Sequence, residues 1–283
     1  VVATITNDGL TFEVRDEGPP HGEPIVLLHG YPQDSSSWDL VAPRLHAAGF
    51  RTIALDQRGY SVGARPAEVE AYAIRRLVGD VVALLDAYGI ERAHVVGHDW
   101  GAGIAWAAAI EHPDRLRTLT VLATPHPTAM AWAWRHSTQG LRSWYMLAFQ
   151  LPVVPEVLSR VDFVRMLVRT GLPEAAARRY AARFRTWRDL TGPINWYRAL
   201  LGSLRDPAAT RKPSGDRLDI VTVPTTYVWG RDDFALGRAG AERTARYVTG
   251  DYRFVALSAG HWLPETNPAE VAAAVIERAQ GRH

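Results

Sequence analysis

The chain has 283 residues, 47% of them hydrophobic and 22% charged, with a formal net charge of only +2. That is enough chain for one main domain with a large core, too balanced for disorder, and gives no electrostatic case for nucleic acid. There is no cysteine, which excludes a disulfide scaffold, a thiolate nucleophile and a zinc site built on sulfur. The bases are nearly all arginine, Lys212 being the single lysine, and those from Arg160 to Arg217 stand singly among acids and alanines, as on a solvated helical surface. No apolar run approaches the roughly 20 residues that span a bilayer, and the N-terminus lacks the basic and apolar regions of a signal peptide, so a soluble, cytoplasmic protein is expected, without a membrane or nucleic-acid partner.

In chain order, residues 4–16 read as a hairpin around Asn7-Asp8-Gly9. Residues 25–29 form a short, branched apolar run between Pro24 and Gly30, the mark of a fully buried strand. A helix over 39–48 then precedes a strand over 51–55, a helix over 74–88 precedes a strand over 93–96, and a helix over 102–111 precedes a strand over 116–122. Strands alternating with helices imply a parallel sheet wound by right-handed crossovers. After Pro125 the alternation stops, and up to about Pro213 the pattern is helical, with Trp132, Trp134, Trp144, Trp187 and Trp196 in it. It resumes with a strand over 225–229, a helix over 239–248, a strand over 252–257 and a closing helix from Pro268. The expectation is an α/β fold with a mainly parallel eight-stranded sheet, its core at 1–125 and 214–283 split by a helical lid at 126–213, and a return linker at 211–219.

Gly97-His98-Asp99-Trp100-Gly101 lies where a strand ends and a small-residue helix begins, and fits the nucleophile-elbow pattern with aspartate in the serine position. The glycines permit the tight turn and the close helix packing that leave the central side chain exposed at the strand ends. His29-Gly30-Tyr31-Pro32 follows an earlier strand, where such a fold supplies an oxyanion-hole N–H, so the Tyr31 and Trp100 amides are the expected donors. Gly230-Arg231-Asp232-Asp233 follows the first strand after the lid and Gly260-His261-Trp262 the next, giving the chain order nucleophile, acid, base. Of the two aspartates, Asp233 is expected to orient His261, because Asp232 directly follows Arg231 and can pair with it or cap the next helix.

With these motifs the chain resembles the soluble epoxide hydrolases of the α/β-hydrolase fold over nearly its full length. The residues that carry the resemblance are His29-Gly-Tyr-Pro32, Asp56-Gln-Arg-Gly-Tyr60, Gly97-His-Asp-Trp-Gly101, Asn195-Trp-Tyr-Arg198 and Gly260-His-Trp-Leu-Pro264. The resemblance implies two lid tyrosines that point at the nucleophile: Tyr197 from the Asn195 motif, and Tyr145, five residues before Gln150. It also implies a pocket between core and lid, lined by lid aromatics with Trp38, Trp100 and Trp262, and a reaction that consumes a small epoxide and water without metal or organic cofactor.

The chemistry of the side chains points the same way. A carboxylate with an ordinary pKa of about 3.9 is ionised at neutral pH and attacks a saturated carbon without a base. The resulting alkyl ester carries the enzyme's own carbonyl, so His261 is needed to activate the water that cleaves it. A halide leaves as a stable anion, whereas an opening epoxide needs a proton that a tyrosine can give. Haloalkane dehalogenases share the Asp-Trp elbow and form the alternative, but they usually have asparagine where this chain has Tyr31. Haloacetate dehalogenases keep arginine beside the nucleophile and on the next helical turn; here Trp100 and Gly103-Ile104 stand there. A ligand receptor on this fold could dispense with a catalytic group, and none is missing.

Overall fold

The computed structural model describes residues 2–205 and 219–281. The expected lid end at 213 and nearly all of the expected linker at 211–219 lie outside the described residues. The first strands, β1 (Val2–Asn7) and β2 (Leu10–Glu17), form the antiparallel hairpin, with Asn7 opposite Leu10. Asp8 and Gly9 both take positive φ at the turn, as a two-residue hairpin loop of matching twist requires. With β3 (Pro24–Leu28), β4 (Arg51–Leu55), β5 (Ala93–His98), β6 (Leu116–Leu122), β7 (Thr225–Gly230) and β8 (Tyr252–Leu257) they make one eight-stranded sheet in the order β1-β2-β4-β3-β5-β6-β7-β8. Only the β1–β2 and β2–β4 pairings are antiparallel, so the mainly parallel sheet expected from the alternation is found.

Both faces of this sheet are covered, which explains why its central strands are apolar without alternation. Along β3, Val26 and Leu28 join one core cluster while Ile25 and Leu27 join the other. The first cluster is roofed by α2 (Ile74–Ala87) and α3 (Trp100–Glu111), the second by α1 (Ala42–Ala47) and α13 (Pro268–Ala279). Helix α2 is amphipathic, burying Leu77, Val78, Val81, Leu84 and Leu85 at helical spacing. Three boundaries near the site differ from the sequence reading. Strand β5 runs on to His98, because Gly97 and His98 still pair with Val121 and Leu122, and α3 begins at Trp100, so the turn is compressed onto Asp99 alone. The helix expected over 39–48 starts later, after a 3-10 turn at Ser35–Trp38.

Between β6 and β7 the described residues up to 205 hold helices and no strand: α4 (Pro127–His136), α5 (Gln139–Arg142), α6 (Trp144–Ala148), α7 (Val154–Val161), α8 (Phe163–Arg169), α9 (Glu174–Arg183) and α10 (Thr191–Arg205). After β7 come α11 (Arg238–Arg243), then β8, then α12 (Leu263–Thr266) and α13. The α4–α10 segment is tied to the sheet side by polar bonds from several helices. The Trp196 indole donates to the Arg58 carbonyl at 2.9 Å, Arg183 meets Asp56 at 2.7 Å, and Arg179 donates to Ser36 Oγ at 2.8 Å. Arg58 itself forms a buried two-bond pair with Asp80, at 2.8 and 2.7 Å. Among the described residues no helix is long and apolar enough to cross a membrane.

Candidate active site

Asp99 sits between β5 and α3 at φ +51°, ψ −116°, a backbone conformation that L residues rarely adopt and that persists only where surrounding structure enforces it. The flanking glycines show how it is enforced. A Cβ on Gly97 would lie 2.3 Å from the Gly101 carbonyl oxygen, and one on Gly101 would lie 2.1 Å from the Leu28 carbonyl oxygen. The turn therefore folds back on itself and against the end of β3 at distances that only hydrogen atoms allow. Gly30, at that same end of β3, gives Asp99 its room, since a Cβ there would come within 2.4 Å of the Asp99 Cβ. As a result the Tyr31 N–H reaches Asp99 Oδ1 at 2.8 Å. The Trp100 N–H opens α3, where a first-turn amide has no acceptor within its own helix.

His261, following β8, is buried between two carboxylates. Its Nδ1–H donates to Asp233 Oδ2 at 2.8 Å, and its Nε2 lies 3.6 Å from Asp99 Oδ2. Asp233 is held in turn: its Oδ1 accepts the N–H groups of Ala235 and Leu236 at 2.8 and 2.9 Å. Asp232 is exposed, and its backbone N–H bonds to the Ala259 carbonyl. Burial opposes charge on His261, but the attraction of Asp233 and Asp99 outweighs it and pushes the imidazole up to about 10. Asp99 behaves reciprocally. Burial works to raise its pKa, and hydrogen bonding and attraction from His261, with the Tyr31 N–H, hold it below the ordinary carboxylate range.

Behind this pair runs a buried polar chain that sequence reasoning missed. His98 lies between two acceptors, with Nε2 2.9 Å from the His261 carbonyl and Nδ1 2.8 Å from Gln33 Oε1, and its single N–H donates to one of them at a time. Gln33 Oε1 also accepts the Gly30 N–H at 3.0 Å, and its Nε2 donates to Glu265 Oε1 at 2.7 Å. Tyr180 of α9 closes the chain by donating to the same Glu265 oxygen at 2.6 Å. Burial pushes the Glu265 carboxyl up to about 7, and burial with the neighbouring His261 depresses His98 to about 4. The Asp56-Gln57 motif supports the other side: Gln57 donates its backbone N–H to His29 Nε2, and its side chain to the His29 carbonyl.

The tyrosines arrive from the helical segment. Tyr197 of α10 packs edge-on against Trp100 and Tyr31, at ring-centroid distances of 5.0 and 5.4 Å, and Tyr145 of α6 lies 5.9 Å from Tyr197. Phe149 fills the space among Tyr31, Tyr145 and Tyr197. Burial raises the pKa of both tyrosines, and the negative charge of Asp99 raises it further, so both stay protonated. The predicted tryptophans separate. Trp100 joins this aromatic group, whereas Trp262 packs on His261 and donates its indole N–H to Thr170 at 3.0 Å, bridging to the helical segment. Trp38 is not brought to the site: it is buried in the second core cluster, which also holds residues of α1 and α13. Among the described residues, no three His, Asp or Glu side chains are grouped to hold a metal ion.

Residues 23–268 match the family described as α/β hydrolase fold. Over 282 residues the chain is 34% identical to the AB hydrolase superfamily protein YfhM of Bacillus subtilis, covering 96% of each chain. It is 32% identical to epoxide hydrolase A of Mycobacterium tuberculosis, covering 96% of this chain and 95% of the relative. The crystal structure of epoxide hydrolase A from Mycobacterium thermoresistibile superposes with a TM-score of 0.82 at 30% identity, covering 99% of this chain and 98% of that one.

Proposed function

Because the chain belongs to the α/β-hydrolase fold family, and is similar over nearly its whole length to proteins named epoxide hydrolases, we propose that it opens an epoxide to a vicinal diol through an alkyl ester on Asp99. The observation that carries this reading is the pairing of an ionised Asp99 with two protonated tyrosines, Tyr145 and Tyr197, in one aromatic group. Both phenols feel the charge of Asp99, which supports a nucleophile serving a ring carbon and a proton donor serving the ring oxygen of one substrate. We read α4–α10 as the lid that brings the donors.

In the first step Asp99 Oδ2 attacks a ring carbon, the carbon–oxygen bond breaks, and a tyrosine protonates the oxygen. Oδ1, bonded to the Tyr31 N–H, becomes the ester carbonyl oxygen. Ester formation removes one of the two charges that hold the proton on His261, so its pKa falls, the proton passes to the tyrosinate and the imidazole becomes a base. His261 then takes a proton from water as the oxygen attacks Asp99 Cγ. The tetrahedral oxyanion forms on Oδ1 facing the Tyr31 and Trp100 N–H groups, where a single donor contributes about 3 kcal/mol. Collapse expels the diol with a proton from His261, and the new Asp99 carboxyl returns its own proton to His261. The sum is epoxide plus water to diol.

One turnover with excess enzyme in heavy-oxygen water tests this with an aryl or alkyl epoxide. The expected diol is unlabelled, with the label in the peptide that contains Asp99; label in the diol and none in Asp99 would overturn the ester route. In the same assay Tyr145→Phe/Tyr197→Phe is expected to lose epoxide opening, and undiminished turnover would remove the proton donors from the proposal.

A further inference from the structure

The triad acid is held in place from the helical segment. Helix α5 is one turn long, and its first residue, Gln139, is buried with every polar atom of its amide in use. The amide Nε2 donates to the Ala235 carbonyl at 2.7 Å and to Ser143 Oγ at 3.1 Å, while Oε1 accepts the Gly237 N–H at 2.7 Å. The turn it grips is the one that Asp233 itself holds, through the Ala235 and Leu236 N–H groups. At the other end of α5, Arg142 donates to the backbone carbonyls of Asp233 and Phe234 at 2.7 and 3.2 Å. On its outer side the turn borders a cleft of about 430 Å³ lined in part by Arg142, Arg231 and Gly237, so side-chain packing is thin there. From within the sheet domain, Trp229 adds a bond to the Leu236 carbonyl.

Three hydrogen-bonded links therefore run from the helical segment to the proposed base: Gln139 and Arg142 to the 233–237 turn, the turn to the Asp233 carboxylate, and Asp233 to His261 Nδ1. We infer that Gln139, assisted by Arg142, is a positioning residue for the acid–base pair, so that His261 is oriented only while α5 is seated on the acid turn. This rests on the reading of Asp99, His261 and Asp233 given above. It assigns the helical segment a second task besides delivering tyrosines, because seating α5 assembles the machinery of ester hydrolysis. Asp99 takes its own bond from the Tyr31 N–H and Tyr197 stands on α10, so ester formation leans on this turn less than ester hydrolysis does.

The test separates the two half-reactions by rapid quench, following ester on the Asp99 peptide and diol release across a pH series. Gln139→Glu keeps size and packing and retains the bond from Gly237, but sets an oxygen against the Ala235 carbonyl. Arg142→Ala lies at an exposed position and guards against a variant that fails to fold. Ester hydrolysis is expected to fall about tenfold or more in Gln139→Glu, and less in Arg142→Ala, with ester formation retained. The pH midpoint of hydrolysis is expected to move in both, because a displaced Asp233 no longer supports the charge on His261 as it does in the wild type. Hydrolysis unchanged in both variants, or both half-reactions falling together at an unmoved midpoint, would overturn the inference. Absence of any Asp99 ester in the wild-type protein would instead overturn the reaction on which it rests.

Discussion

His261 illustrates how two neighbours give one side chain opposite duties. With Asp233 at Nδ1 and Asp99 at Nε2, the imidazole holds its proton up to about pH 10, which keeps Asp99 ionised, as the proposed nucleophile must be. This pair favours the fold fully below the ordinary histidine pKa of about 6.5, and that contribution is lost as pH rises through about 10. In the proposed reaction, esterified Asp99 leaves only Asp233 to support the charge, and His261 can then act as base. Gln in place of His261 keeps a hydrogen-bonding side chain but cannot take a proton from water. His261→Gln is therefore expected to form the Asp99 ester and stall, leaving a peptide heavier by one epoxide in a mass spectrum. Epoxide consumed by this variant with no adduct, and diol released at the wild-type rate, would remove His261 from the role of base.

At the scale of elements, the site lies where several segments end together: β3 at Gly30, β5 at His98, the turn after β7 at Asp233 and the turn after β8 at His261. Parallel strands carry these ends to one edge of the sheet, and the Gly97–Gly101 turn brings α3 against β3 closely enough for Asp99 to meet the Tyr31 N–H. Glu265, on α12, connects this edge to α9 through Tyr180 and to the loop after β3 through Gln33. Its carboxyl is raised in the fold, so the stability that goes with its neutral form is complete below its unfolded pKa and disappears as pH rises through about 7. Glu265→Gln lacks this titration and can still bond both partners. Urea unfolding is expected to show the variant gaining about 3 kcal/mol on the wild type between pH 5 and pH 8; an unchanged difference between the two proteins would mean that Glu265 titrates normally.

For the whole molecule, the attachment of α4–α10 to the sheet combines a shared apolar cluster with buried ion pairs. Arg183 of α9 meets Asp56 at 2.7 Å and Asp34 at 3.2 Å, and both of these carboxylates are almost fully buried. Although burial alone would raise Asp56, attraction to Arg183 and the Ser35 N–H hold its pKa below the ordinary range. That contribution is present above the unfolded carboxylate pKa and is lost as pH falls through the lower folded value. Arg183→Ala strands two buried charges and is expected to cost about 3 kcal/mol at pH 7, with a smaller cost in acid, as measured by urea unfolding at the two pH values. A cost independent of pH would show that packing of the arginine stem, rather than charge, joins the two parts.

The local pattern of the sequence determined the mainly parallel sheet, since buried parallel strands, amphipathic helices and elbow glycines each leave a mark within a few residues. It also brought out Asp99, Asp233 and His261, because residues at successive strand ends must gather at one edge. Only the tertiary structure decided which side chains share a space. Trp38 has the composition of a pocket wall, yet it is buried in the second core cluster, and Trp262 spends its indole on Thr170. Gln33, His98, Glu265 and Tyr180 come from four distant segments, and Gln139 finds its partners almost a hundred residues away. Such bonds have no period or spacing in the chain. They exist because each buried polar atom must find a partner after the segments have packed.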